Sequence, residues 1–308
     1  MEVRLRLKNK IRDSVKAIVG NMKRYSVADA VVLWRQWREF KNASDDMRAS
    51  WVESLTSPSD LLRRFHQLGV PVVERSVDID CFEKWMDQYP DLCRFYSNYG
   101  DTRIEKILEH YLTMSELHIS GRDVCIDIAA STSPFADVVA EHLKNTCYRQ
   151  DLIYPEGIHG NSIGGDAARM PVDNNFADVL TLHCAYECFQ DDADIRFITE
   201  AERVLRRGGR LGIIPLYVES VYFVKTGPLH DRRRIKVEEG ARCIWRDDGY
   251  VREAFSRHYS PESLKKRVVE AITKMNCEVL HFTNLDEVGS RYPGQRVYCR
   301  FMFRAVRR

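Results

Sequence analysis

The chain has 308 residues, enough for one large domain or a catalytic domain with an appendage. Hydrophobic residues at 44% beside 30% charged residues exclude a disordered chain, and a net charge of +2 gives no global reason to expect nucleic acid as a partner. No apolar run reaches the length of a membrane span, no signal-peptide pattern opens the chain, and 9 scattered cysteines without a CxxC pair read as small thiols of a reducing cytoplasm.

Residues 1–24 begin with alternating apolar positions at Val3, Leu5 and Leu7. They change to helical spacing at Ile11, Val15, Ile18, Val19 and Met22, with Lys and Arg interleaved throughout. Such a basic amphipathic segment suits peripheral contact with an anionic membrane, or packing on the protein with a solvated basic face. Residues 25–118 read as mostly helical. Ser26 starts one helix, Ser57-Pro58 starts a second that Gly69 and Pro71 close, and residues 78–86 and 103–117 add two more. Trp34, Trp37, Phe40 and Trp51 fall on packed faces of this region.

From residue 121 strand and helix patterns alternate, which predicts a parallel sheet with right-handed crossovers. Strands are expected near 124–128, 147–151, 162–165, 179–183 and 211–215. The first carries Asp127 near its end and opens into small residues at alternate positions, Ala129, Ser131 and Ser133. A helix follows, with Ser133 as N-cap and Pro134 at its first position. Small side chains let a ligand approach the backbone, and the helix N-terminus favours a negatively charged group. None of the three fingerprint glycines is present. If position 129 needs a positive φ, alanine there costs about 1 kcal/mol or more.

Asp151, 24 residues after Asp127, stands where a carboxylate can accept both hydroxyls of a ribose. A helix over 194–206 ends in Arg206-Arg207-Gly208-Gly209, a glycine stop preceded by cations. Residues 216–258 interrupt the rhythm with aromatic residues and an arginine run. A helix starting at Ser260 and strands near 279–282 and 297–303 complete the pattern.

The order Asp127-x-Ala-x-Ser-x-Ser133, Asp151, Gly165-Asp166-Ala167 with Met170-Pro171, Phe176-x-Asp178-Val179, and Arg203-Val204-Leu205 with Gly208-Gly209 resembles class I S-adenosylmethionine-dependent methyltransferases. The resemblance covers residues 120–216 and, less clearly, the C-terminal tail. It implies an α/β fold: a Rossmann-like, mostly parallel seven-stranded sheet with helices on both faces, in residues 119–308. That domain would carry an insertion at 216–258 and follow a helical N-terminal or lid region, residues 1–118. The resemblance also implies S-adenosylmethionine as cofactor, held by Asp127, Ala129, Ser131, Ser133, Asp151, Asp166, Ala167 and His183. Asp166 would accept from the adenine amino group, with Asp178 structural. Tyr96, Tyr99 and Arg103 would be lid residues or interhelical packing. A strand-to-helix turn in a ligand-free domain would also account for the loop.

Methyl transfer from a sulfonium is an in-line displacement, and an oxygen nucleophile commonly needs its proton removed. His183, Glu187, His230 and His258 are the candidate bases. Tyr217, Tyr222 and Trp245 with Arg232, Arg233 and Arg234 would suit an acceptor with an apolar body and an anionic end. Cys184 and Cys188 beside His183 supply too few ligands for a metal site. An Asn-Pro-Pro-aromatic or Asp-Pro-Pro-Tyr type motif is absent after the fourth strand, where this chain has His183-Cys184-Ala185-Tyr186. That absence argues against nucleic-acid enzymes and the amino-group enzymes that use the motif, and leaves oxygen, carbon or sulfur acceptors. Of these, cytoplasmic O-methylation of a small-molecule, glycan or lipid-linked acceptor is the expected function, without nucleic acid. The alternative is a non-catalytic methyltransferase fold serving as a binding or scaffold protein.

Overall fold

The computed structural model describes residues 27–49, 57–247 and 254–308, so the basic segment 1–24, Ser26 and Trp51 lie outside the described residues. The chain divides into two compact units, Ser54–Tyr222 with Arg257–Arg308, and Met1–Glu53 with Phe223–Ser256.

In chain order the larger unit starts with helix α1 (Pro58–Gln67), strand β1 (Val72–Arg75), and helices α2 (Ile79–Gln88), α3 (Pro90–Phe95) and α4 (Arg103–Glu116). Next come β2 (Val124–Ile128), α5 (Phe135–Leu143), β3 (Thr146–His159), β4 (Ser162–Gly164), β5 (Ala177–His183), α6 (Ala193–Val204) and β6 (Leu205–Ile214). The short helix α7 (Pro261–Leu264), β7 (Met275–Phe282), α8 (Leu285–Arg291) and β8 (Phe301–Arg307) complete it.

These strands form one sheet in the order β1-β7-β8-β6-β5-β2-β3-β4. Strand β8 runs antiparallel to β7 and β6, and the other pairs are parallel. The sheet has eight strands rather than the seven expected from the sequence. The extra one is β1, paired with Val279–Phe282 inside a stretch read as mostly helical. Four residues, Val-Val-Glu-Arg, are too few to display an alternation that could outweigh the surrounding helices.

Both faces are covered, as a mostly parallel sheet requires. Cys125, Cys147, Val179 and Ile214 join one apolar cluster with Leu108 and Leu112 of α4 and Phe135 and Val139 of α5. The alternate side chains Ile126, Leu180, Leu182, Leu211 and Ile213 are buried as well, together with Phe197, Ile198 and Ala201 of α6. Strand order reverses between β2 and β5, so the crevice for a ligand lies at the C-terminal ends of these two strands.

Several boundaries differ from the sequence reading. Helix α5 starts at Phe135 with Pro134 as its cap, and the Ser133 hydroxyl accepts from Phe135 N at 3.3 Å. Helix α6 ends at Val204, and Arg206 to Gly209 belong to β6. Arg206 donates to Asp178 Oδ2 at 2.8 Å and to the Asn175 carbonyl at 3.0 Å, which holds this stretch against the entry of β5. The helix begun by Ser260 is one α turn followed by a π turn over Lys265–Val269. The last strand lies at Phe301–Arg307 because Glu105 Oε2 accepts Tyr298 N at 2.7 Å, taking the preceding segment out of the ladder.

In the smaller unit, a helix over Val27–Asn42 is followed by a short strand Arg48–Ala49, which pairs in parallel with Trp245–Arg246. Strand Phe223–Thr226 pairs in parallel with Arg242–Trp245. Phe40 is buried and meets the Trp245 ring edge-on at 6.2 Å, whereas Trp34 is 58% exposed with Arg38 over its face. Trp34 is thus a surface residue rather than core. Among the described residues no helix is long and apolar enough to cross a membrane.

Candidate functional site

Strand β2 delivers Asp127 to the crevice as a buried carboxylate. Its Oδ1 accepts from the Thr181 hydroxyl at 2.9 Å and from His183 Nδ1 at 3.0 Å, both on the adjacent strand β5. Among the described residues its Oδ2 is buried with no protein partner, an acceptor left for a ligand. Beyond it, Ala129 and Ser131 have φ of 52° and 48°, the left-handed region that glycine normally occupies. The glycines are absent but their backbone geometry is kept, at about 1–2 kcal/mol per residue.

Neighbouring strands fix this loop. The Gln150 carbonyl accepts from Ala130 N at 2.9 Å, and its side chain bridges Ala129 N and the Gly165 carbonyl. Asp151 Oδ2 accepts Ser131 N at 2.8 Å and its Oδ1 accepts Ile153 N at 3.1 Å. The chain then folds back from β3, and Tyr154 donates to the Ser131 carbonyl at 2.5 Å. Gly164 is obligatory in this fold-back, since a Cβ there would lie 1.8 Å from the Pro155 oxygen.

The loop, the end of β5 and helix α4 enclose a cavity of about 250 Å³. It brings together Asp127, Ala129, Ser131, Ser133 and His183 with Tyr96 and Tyr99. Asp151 touches it through Ser131, while Asp166 and Ala167 lie at the end of β4 and do not line it. Asp166 Oδ1 accepts Ala168 N at 2.9 Å, and its Oδ2 is 3.8 Å from Arg196.

The other sequence-chosen residues are elsewhere. Glu187 is buried on the turn Tyr186–Cys188. Tyr217 and His258 pack ring to ring at 4.8 Å, and Tyr222 stacks on Tyr259 at 6.2 Å. His230, Arg232, Arg233, Arg234 and Trp245 belong to the smaller unit. There the Arg232 guanidinium lies 4.6 Å over Trp245, Arg233 pairs with Asp231, and the His230 carbonyl accepts from Gln36.

Two histidines form the cavity floor. With Nδ1 of His183 on Asp127, its Nε2 meets the Thr113 hydroxyl at 3.0 Å. His183 can take a proton from a ligand only by giving up Thr113. His110 packs edge-on against His183 at 4.3 Å and stacks on Phe135, and its Nε2 meets Tyr96 Oη at 2.8 Å. Burial, with His183 second, holds the His110 pKa well below its ordinary value, and burial raises that of Tyr96.

A second polar group lines the cavity that the sequence did not reveal. Lys106 Nζ lies 2.9 Å from Glu109 Oε1 and 2.5 Å from Cys184 Sγ, and the thiol donates to both Glu109 oxygens at 3.2 and 3.4 Å. Burial and then Glu109 push the Cys184 thiol well up. Burial opposes the Lys106 ammonium, and the Glu109 carboxylate 2.9 Å away favours it. The residues are 78 apart in sequence, so no spacing rule could have joined them. The only signal was Lys and Glu at i and i+3 on one helix.

Behind them Glu105 is fully buried, and burial followed by Glu109 raises its pKa to about 8 from 4.5. The native protein therefore keeps a proton that the unfolded chain releases, and stability should fall as pH rises from about 4.5 through about 8. Glu105→Gln is expected to flatten that decline in melting temperature. An unchanged slope across this window would reject the assignment.

The family described as "Methyltransferase domain" matches residues 121–213. That stretch of the chain is a methyltransferase domain. Transfer of a methyl group is the activity of that domain, and S-adenosylmethionine is its cofactor. A search of curated proteins finds no match. Among solved structures, the Burkholderia thailandensis 1,6-didemethyltoxoflavin-N1-methyltransferase, with bound 1,6-didemethyltoxoflavin and S-adenosylhomocysteine, is 11% identical. There 84% of this chain and 94% of that one are covered, at a TM-score of 0.43. A Haloferax volcanii methyltransferase in complex with the Trm112 activator is 12% identical, over 72% and 96% of the two chains, at 0.42. Haemonchus contortus phosphoethanolamine N-methyltransferase 1, in complex with phosphoethanolamine and S-adenosylhomocysteine, is 16% identical over 74% and 48%, also at 0.42.

The cavity fits the cofactor the methyltransferase domain requires. A buried carboxylate oxygen without a protein partner, two left-handed loop residues and a helix N-terminus converge where the strand order reverses.

Proposed function

We propose that this domain methylates an oxygen of a small-molecule, glycan or lipid-linked acceptor. The observation that carries the reading is the cavity shared by the Asp127 to Ser133 loop and the end of β5, where His183-Cys184 stands in place of an amino-group motif. S-adenosylmethionine supplies, when bound, a methyl group on a positively charged sulfur. Asp127 would hold its amino-acid end through Oδ2, with Ala129, Ser131 and Ser133 offering the backbone. Asp151 would exchange its bond to Ser131 N for the ribose hydroxyls, and Asp166 with Ala167 would meet the adenine. Tyr96 and Tyr99 would close the cavity from the helical side. Tyr217 and Tyr222 are proposed to recognise the apolar body of the acceptor.

Titration calorimetry with S-adenosylhomocysteine tests the cofactor assignment. Asp151→Ala should weaken binding by about 2 kcal/mol, since charge-assisted bonds to a desolvated ribose are lost. Asp178→Ala should leave affinity within about twofold, because Asp178 serves Val124 N and Arg206 at the far end of the strands. Equal losses in two folded variants would remove Asp151 from the site. No binding by the wild-type chain would favour the scaffold alternative.

A further inference from the structure

We propose that Glu109 is the carboxylate that balances the cofactor's positive charge and receives the acceptor's proton when that charge is discharged. This rests on the reading of the cavity given above. Among the described residues the cavity is lined by two carboxylates, Asp127 and Glu109, and one ammonium, Lys106. Their formal charges sum to one negative charge, which a single cation neutralises. Asp127 is engaged through Oδ1 by Thr181 and His183 on its own sheet. Glu109 is held by Lys106 and the Cys184 thiol, at the end of β5 where the acceptor must arrive.

In the transfer, the bond from sulfur to the methyl carbon breaks and its electron pair stays on sulfur. A bond from the acceptor oxygen to that carbon forms, and the hydroxyl proton passes to Glu109. The products are a neutral thioether, a methyl ether and a protonated carboxyl, so charge is conserved and no further reactant is needed.

The other groups around Glu109 keep their charge. Glu105, next along α4, has its pKa raised to about 8 and already carries a proton at neutral pH. Burial raises the pKa values of Cys184, Tyr96, Tyr217, Tyr298 and Cys299, which stay neutral. Lys106 remains an ammonium.

The test needs no acceptor. Titration calorimetry of S-adenosylmethionine and S-adenosylhomocysteine in two buffers of different ionisation enthalpy gives affinity and protons taken up. Wild type should prefer the sulfonium form by about tenfold. It should take up a proton only with the neutral thioether. Glu109→Gln should reduce the preference to within about twofold and abolish the proton uptake. Lys106→Gln, which removes the cation beside Glu109, should keep the preference at or above the wild-type value. Preference and uptake that persist in Glu109→Gln overturn the proposal. If that variant does not fold, a Lys106→Gln preference below wild type overturns it. Failure of the wild type to bind either ligand would instead remove the cofactor reading, and this inference with it.

Discussion

Replacing Asp194 by alanine is expected to lower folding stability by about 3–5 kcal/mol, the cost of breaking a buried ion pair by removing one partner. Asp194 is fully buried at the start of α6 and serves several partners. Its carboxylate meets Arg267 at 2.7 Å and Arg257 at 3.2 Å, and accepts from the Tyr259 hydroxyl at 2.7 Å. Alanine would leave two guanidinium groups facing each other without their shared counter-charge. Arg257 also donates to the carbonyls of Phe189 and Asp191, and Arg267 to that of Asp191. The segment following His183 and Cys184 should therefore loosen with the loss. Urea unfolding at constant pH measures the effect, and a change below about 1 kcal/mol would show that other groups carry this junction.

Little of that junction was legible in the sequence. Asp194, Arg257 and Arg267 belong to different elements, and no local pattern distinguishes a buried arginine from a solvated one. The strand, loop and helix from Val124 to Leu143 were legible because their signals are local: an apolar run, small residues, a proline and a helical period. The crossovers that follow were legible for the same reason. Strand β1 was not, since a four-residue edge strand gains its pairing from β7, some 200 residues later. The group of Lys106, Glu109 and Cys184 was likewise assembled by topology, not by a motif.

Asp127→Ala should be the most damaging substitution for cofactor binding, reducing affinity for S-adenosylhomocysteine by about a hundredfold or more. It removes the partnerless Oδ2 together with the shared acceptor of Thr181 and His183. Leaving those two buried donors unsatisfied costs about 1–3 kcal/mol each, so melting temperature should fall as well. His183 would then be free to turn away from Thr113, and the cavity floor would lose its shape. Asp127→Asn separates the effects: it keeps the volume but replaces one acceptor by a donor, so affinity should fall more than stability. A folded Asp127→Ala variant that binds within about threefold of wild type would end the assignment.

The left-handed Ala129 and Ser131 have a consequence for how the loop meets its ligand. A glycine loop explores many backbone states when empty, and a ligand must first freeze them. Alanine and serine have fewer states available, and Gln150 and Tyr154 already hold their backbone in the left-handed conformation. Strain is thus accepted during folding in place of disorder at the moment of binding. Cofactor association should accordingly show a smaller unfavourable entropy than a glycine-substituted loop would, with the loop as a ready-made mould rather than a flexible clasp.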